Sequence, residues 1–159
     1  MAFDPTPYFA DISGIDAGEL LDEWRWLLRD SAFDVYRATA MGDLILRDPS
    51  GVFRFLDMVD GKLEHLAETE SALAERLQDR GERQRLLGTF VVRGLRDSGK
   101  ALLAGQCYSP DHPPILGGNL DDENLQPCDT RVHASMQGQI HKQVKDLPPG
   151  TRISDIRIE

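Results

Sequence analysis

The chain has 159 residues, 27 acidic against 18 basic, and a formal net charge of −9. That length predicts one domain, able to bury roughly two-thirds of its surface without a staple. The acid excess disfavours direct nucleic-acid binding, because phosphate backbones are repelled, and favours a basic protein partner.

The two cysteines, Cys107 and Cys128, are too few for a disulfide scaffold. The start, Met1 to Pro5, has no basic n-region or apolar h-region, and no run approaches the ~20 apolar residues of a membrane span. A reduced, cytoplasmic chain with no membrane contact is expected.

Residues 1–15 carry Pro5, Pro7 and Gly14 and read as an irregular lead-in; residues 16–159 form the domain. Asp16 with Glu19 three residues later has capping-box spacing, and Leu20, Leu21, Trp24, Leu27 and Leu28 then share a helical face. Trp26 lies off that stripe, and both tryptophans are read as core.

From Asp34 to Leu66 the period becomes two. Four strands are predicted at 35–40, 43–48, 52–57 and 62–66, broken at Met41-Gly42, Pro49-Ser50-Gly51 and Asp60-Gly61. Connections this short join antiparallel neighbours. The pattern sends Leu44 and Leu46 to one face and Asp43, Ile45 and Arg47 to the other, so one face of the meander needs covering.

Helices supply the cover. Thr69 is placed to cap one that presents Leu73 and Leu77. After an exposed turn at 78–85, a helix is predicted over 82–98 with Leu86, Leu87, Phe90, Val91 and Leu95 inward and Gly99 at its C′ position. Gly88 and Gly94 inside it suggest close backbone packing. The predicted class is α+β: an antiparallel β-meander against three to four helices.

Residues 105–150 are the least generic stretch. Pro113-Pro114, Gly117-Gly118 and Pro148-Pro149 fix dihedrals that few residues tolerate and predict a loop of one shape. Asp121-Asp122-Glu123 follows as an acidic knot. Asp129 or Thr130 is placed to cap a helix with Val132, Met136, Ile140 and Val144 at every fourth position, ended by Pro148. Ile156 and Ile158 alternate with Arg157 in a tail suited to an edge strand.

Cys107, Cys128, His133 and His141 lack the short pairs of a zinc site, and no metal or other cofactor is expected. A hydrolase using Cys107 with His133 or His141 would need an oxyanion donor and an orienting group that the sequence does not display. Each histidine is read instead as a core imidazole hydrogen-bonded to the Pro-Pro loop. No enzyme is predicted.

Several of these motifs, taken in order, resemble one bacterial family. They are Trp24 to Leu28, Gly42 to Leu46, Phe55-Leu56-Asp57, Gly105-Gln106-Cys107-Tyr108, Pro113 to Gly118, Glu123-Asn124, Val132-His133, Gly138 to His141 and Leu147 to Gly150. The chain is similar to the C-terminal domain of the Tdi-type immunity proteins of type VI secretion systems. The resemblance implies a non-enzymatic protein that binds a cognate toxin, in the best-known pairs a DNase, in a 1:1 or 2:2 complex; a free homodimer is compatible with it. Family members often carry a GAD-like domain ahead of this one, and here only the short lead-in precedes Asp16.

The resemblance also implies that Gln106, Tyr108, Pro113, Pro114, Gly117, Gly118, His133, Gln139 and His141 hold the fold. Asp111, Asp121, Asp122 and Glu123 are the candidate contact residues for a basic-clefted effector. The competing reading is a regulatory or scaffold module of the Smi/Knr type with a housekeeping partner. Genome context separates the two.

Overall fold

The computed structural model describes residues 2–29, 31–153 and 155–159. It is an α+β fold with a four-stranded antiparallel sheet and a separate two-stranded hairpin. The sheet is the expected meander of β1 (Asp34–Ala38), β2 (Leu44–Arg47), β3 (Phe53–Asp57) and β4 (Lys62–Ala67), in chain order. Gly42, Gly51 and Gly61 in its turns all have positive φ, which a side chain would oppose.

Both faces of this sheet are covered, not one. Leu44, Ile45 and Leu46 are each 1 % exposed or less. Ile45, Phe53 and Phe55 pack with Leu73, Leu77, Leu86, Val92 and Leu95 on one side. Leu44, Leu46, Leu56 and Met58 pack with Leu20, Trp24 and Leu28 on the other. Full burial of one such side chain contributes about 1.5–3 kcal/mol, so a second covered face outweighs the alternation suggested by the charges around β2. Asp43 is itself buried, and not displayed as the pattern suggested.

The first helical unit is bent. Asp16 caps α1 (Ala17–Leu21) by accepting from the Gly18 amide, and a 3-10 turn at Asp22–Trp24 leads into α2 (Arg25–Leu28). Trp26 stacks on Trp24 and donates through Nε1 to the Gly138 carbonyl at 3.3 Å. On the opposite face, Thr69 caps α3 (Glu70–Arg76).

The helix expected over 82–98 is two helices. Asp79 caps α4 (Arg80–Leu87), so most of the expected exposed turn is helical. Gly88 then adopts a left-handed conformation, φ +60°, and α5 (Thr89–Asp97) starts afresh. Glycine is present there mainly because the chain turns a corner that an L side chain resists. The corner leaves Phe90 54 % exposed and buries Thr89 and Val92 instead.

Beyond α5 the expected rigid loop is partly strand. β5 (Gln106–Pro110) pairs with β6 (Leu125–Asp129), and the loop proper is confined to residues 111–124. The Tyr108 amide hooks the hairpin to the sheet by donating to the Ala40 carbonyl at 2.7 Å. Asp129 caps α6 (Thr130–Val144), which lies against α1, the 3-10 turn and the hairpin. No helix among the described residues is long and apolar enough to cross a membrane.

Candidate functional site

The helix α6 was expected to bury Val132, Met136, Ile140 and Val144. Only Ile140 of the four is buried, and Val132 is 57 % exposed. The inward face is instead His133, Ala134, Gln137, Gly138 and His141, with Gln139 at its edge. Small and polar side chains win because the helix presses on backbone: a Cβ on Gly138 would lie 2.7 Å from the Glu23 carbonyl oxygen. Trp24 Nε1 donates to the Ala134 carbonyl at 3.0 Å across the same contact.

The two histidines do not reach the Pro-Pro loop. Each lies beneath a turn glycine at one end of the meander. A Cβ on Gly42, between β1 and β2, would sit 2.3 Å from His133 Nε2; one on Gly61, between β3 and β4, would sit 2.4 Å from His141 Nδ1. Eight helical residues rise about 12 Å, and two strand spacings cover about 10 Å. One helix therefore spans both turns and places one ring under each.

His133 Nδ1 is 2.7 Å from Ser109 Oγ, which ties α6 to β5 as well. Burial pushes the His133 pKa down to about 4, although the Gly42 carbonyl offers partial compensation to the charged form. The ring is neutral at pH 7. Its Nε2 has no hydrogen-bond partner among the described residues. His141 Nε2 donates to the Met58 carbonyl at 2.9 Å, and its ring tilts against Trp24. Burial lowers its pKa too, opposed by bonds to the Met58 and Val59 backbone.

Sequence reasoning missed two polar residues here. Asp43 Oδ1 accepts the Met58 amide at 2.8 Å, so both backbone polar groups of Met58 are held, the N–H by Asp43 and the carbonyl by His141. Burial, with Asp57 nearby, raises the Asp43 pKa well above the usual carboxylate range. The other is Asn124, which organises the loop. Its Oδ1 accepts the His112 amide, and its Nδ2 donates to the His112 carbonyl, both at 2.8 Å, and also to the Asn119 carbonyl. The dipeptide Glu123-Asn124 was visible in the sequence, but its role needs the register in which the Asp111 amide donates to the Asn124 carbonyl.

The remaining loop motifs have local tasks. Pro113 is buried, Pro114 opens a 3-10 turn at Pro114–Leu116, and Gly117 closes it at φ +100°. Gly118 admits no side chain, since its Cβ would lie 1.7 Å from the His112 carbonyl oxygen. It is His112, not His133 or His141, that serves this loop, with Nε2 2.8 Å from the Leu116 carbonyl oxygen. Tyr108 is buried and its hydroxyl donates to the Lys100 carbonyl. Gln106 Oε1 accepts the Leu103 amide at 2.9 Å.

Asp111, Asp121, Asp122 and Glu123 are all exposed on this frame. Asp121 and Glu123 rim a hollow of about 320 Å³ beside His112 and Asn124. The Asp122 carbonyl accepts from Lys100 Nζ, which also reaches the Leu125 carbonyl at 3.0 Å and anchors the end of the loop.

The tail forms no strand among its described residues. Two glutamines of α6 imitate one. Gln139 exchanges hydrogen bonds with the Glu159 backbone, and Gln143 does the same with Arg157.

Cys107 and Cys128 face each other across β5 and β6, both free. Burial raises both thiol pKa values, the reverse of nucleophile activation. Among the described residues no group of three His, Cys, Asp or Glu is placed to hold a metal.

Residues 67–141, which run from the end of β4 through the acidic loop to His141, match a family model. That family is the T6SS immunity protein Tdi1, C-terminal. The resemblance to Tdi-type immunity domains is thus supported over the stretch that carries its most specific motifs. No curated protein matches the chain. Among solved structures, the crystal structure of Atu4351 from Agrobacterium tumefaciens is similar at 16 % identity with a TM-score of 0.47. The likeness covers 87 % of this chain, which spans 65 % of that one.

Proposed function

We propose that this chain is an immunity protein that neutralises a cognate type VI secretion effector by protein–protein contact, without turnover. The observation that carries the reading is the Tdi1 C-terminal match, which takes in both the acidic loop and the histidine-pinned helix. The contact we assign to the loop uses Asp111, Asp121, Asp122 and Glu123, held out by the Pro-Pro and Gly-Gly frame.

The effector is a nuclease in this reading. An enzyme that holds an anionic backbone keeps a basic cleft, and a chain of net charge −9 is complementary to it. Association is then fast and salt-sensitive.

Co-expression with the effector encoded beside this gene tests it. The expected result is rescued growth and a co-purifying complex. The absence of both rescue and complex would rule the function out, and rescue of a non-nuclease effector would remove only the nuclease part.

A further inference from the structure

A second surface answers a question the loop leaves open, namely which face receives the apolar part of a partner. Between the first helical unit and α6 runs a groove of about 590 Å³. Val132, Met136 and Ile158 line it, and Val132 and Ile158 are 57 % and 49 % exposed. Its rim carries Glu19, Asp22, Glu23, Asp129 and Glu159 against a single base, Arg131.

Arg131 is already engaged, at 2.8 Å from Asp129 and 3.7 Å from Glu19. Asp22 has only a loose partner in Arg25 at 3.7 Å, and Glu23 has no ion pair among the described residues. The walls are fixed beforehand. Gly138 brings α6 onto the Glu23 backbone, and Trp24 and Trp26 donate to α6 carbonyls across the contact. A rigid, apolar, acid-rimmed groove is preorganised and loses little freedom on binding.

Resting on the immunity reading, we infer that this groove seats a basic amphipathic segment of the effector, with a large apolar side chain against Val132 and Ile158 and lysines or arginines over Asp22 and Glu23. The segment is polypeptide: the acid rim repels nucleic acid and anionic membrane alike, while an apolar floor within a charged rim is the anatomy of a protein interface. The surface also continues into the loop. The tail passes His112, Ile115 and Leu116 at Ile153 and Ile156 before it reaches the groove at Ile158.

The test measures the affinity of the full chain for the purified effector encoded beside its gene. Two variants are compared: Val132→Asp, and Asp22→Lys combined with Glu23→Lys. Phe90→Ser on α5 is the control. All four positions are exposed, so unchanged thermal midpoints are expected. The inference predicts that each groove variant weakens binding by about tenfold or more, that the double variant also loses salt dependence in its association rate, and that the control binds as wild type. Wild-type binding retained in both groove variants overturns the groove and leaves the immunity function standing. Absence of binding by the wild type itself overturns both.

Discussion

His133 on α6 lies under Gly42 of the β1–β2 turn so closely that a methyl group at position 42 would meet the ring at 2.3 Å. The same relationship recurs eight residues on, between His141 and Gly61. Both glycines also have positive φ, +88° and +66°, so a substituent is opposed by the backbone as well as by the ring. Gly42→Ala and Gly61→Ala are each expected to lose about 2–4 kcal/mol of stability, read from denaturant midpoints, from strain at positive φ together with overpacking. Combining Gly42→Ala with His133→Ala removes the clash, so the double variant should be less destabilised than the sum of the two. Strict additivity would show that the ring does not define the turn.

Stability should fall in mild acid, and His133 should account for part of the fall. Its folded pKa, about 4, lies below the ordinary histidine value of 6.5. The unfolded chain then binds the extra proton between those values. The contribution is complete above about pH 6.5 and lost as the pH falls towards 4, at most on the order of 3 kcal/mol. His133→Gln should flatten that slope in equilibrium unfolding across the window; an unchanged slope would contradict a neutral buried ring.

Asp43 has the opposite sign. Its folded pKa is raised by burial and by Asp57, so what it contributes is complete in acid, below the unfolded carboxylate value, and fades as the pH rises through the folded one. Asp43→Asn keeps an acceptor for the Met58 amide without the buried charge. The variant should be at least as stable as wild type at neutral pH, and lose that advantage in acid. A large loss at pH 7 would mean that the charge itself is required.

The loop depends on both faces of one amide. Asn124 accepts from the His112 amide and donates to the His112 and Asn119 carbonyls. Asn124→Ala should loosen residues 111–124 by about 1–3 kcal/mol of local stability, seen as faster proteolysis there with the thermal midpoint little changed. Asn124→Asp keeps the acceptor and loses the donors, so it should resemble the alanine variant more than the wild type.

Much of this fold was legible because its punctuation is local. Glycines in the meander turns, Asp16, Thr69 and Asp129 at helix starts, and two-residue alternation all act over a few residues. What stayed hidden depends on elements distant in the chain. The second buried face of β2 follows from α1 and α6, which lie on opposite sides of it in sequence. The break at Gly88 looked like tight packing because a glycine within an apolar helical period suits either role. The polar inner face of α6 ran against the hydrophobic stripe, since Val132 and Met136 line an open groove. The histidines were noticed, eight apart and on one side, but the turns they pack beneath are glycines, which leave no chemical signature of their own.

The ends of the acidic loop are held side by side, Pro110 opposite Leu125 in the last register pair of the hairpin. Closing a longer loop between fixed ends costs only logarithmically more. Residues 111–124 can thus lengthen, shorten or change sign without asking the sheet to move, whereas the inward face of the helix beneath the two turns tolerates almost no change. Under the proposed function, divergence towards a different effector has an inexpensive place to occur, physically separate from the part that makes the chain fold.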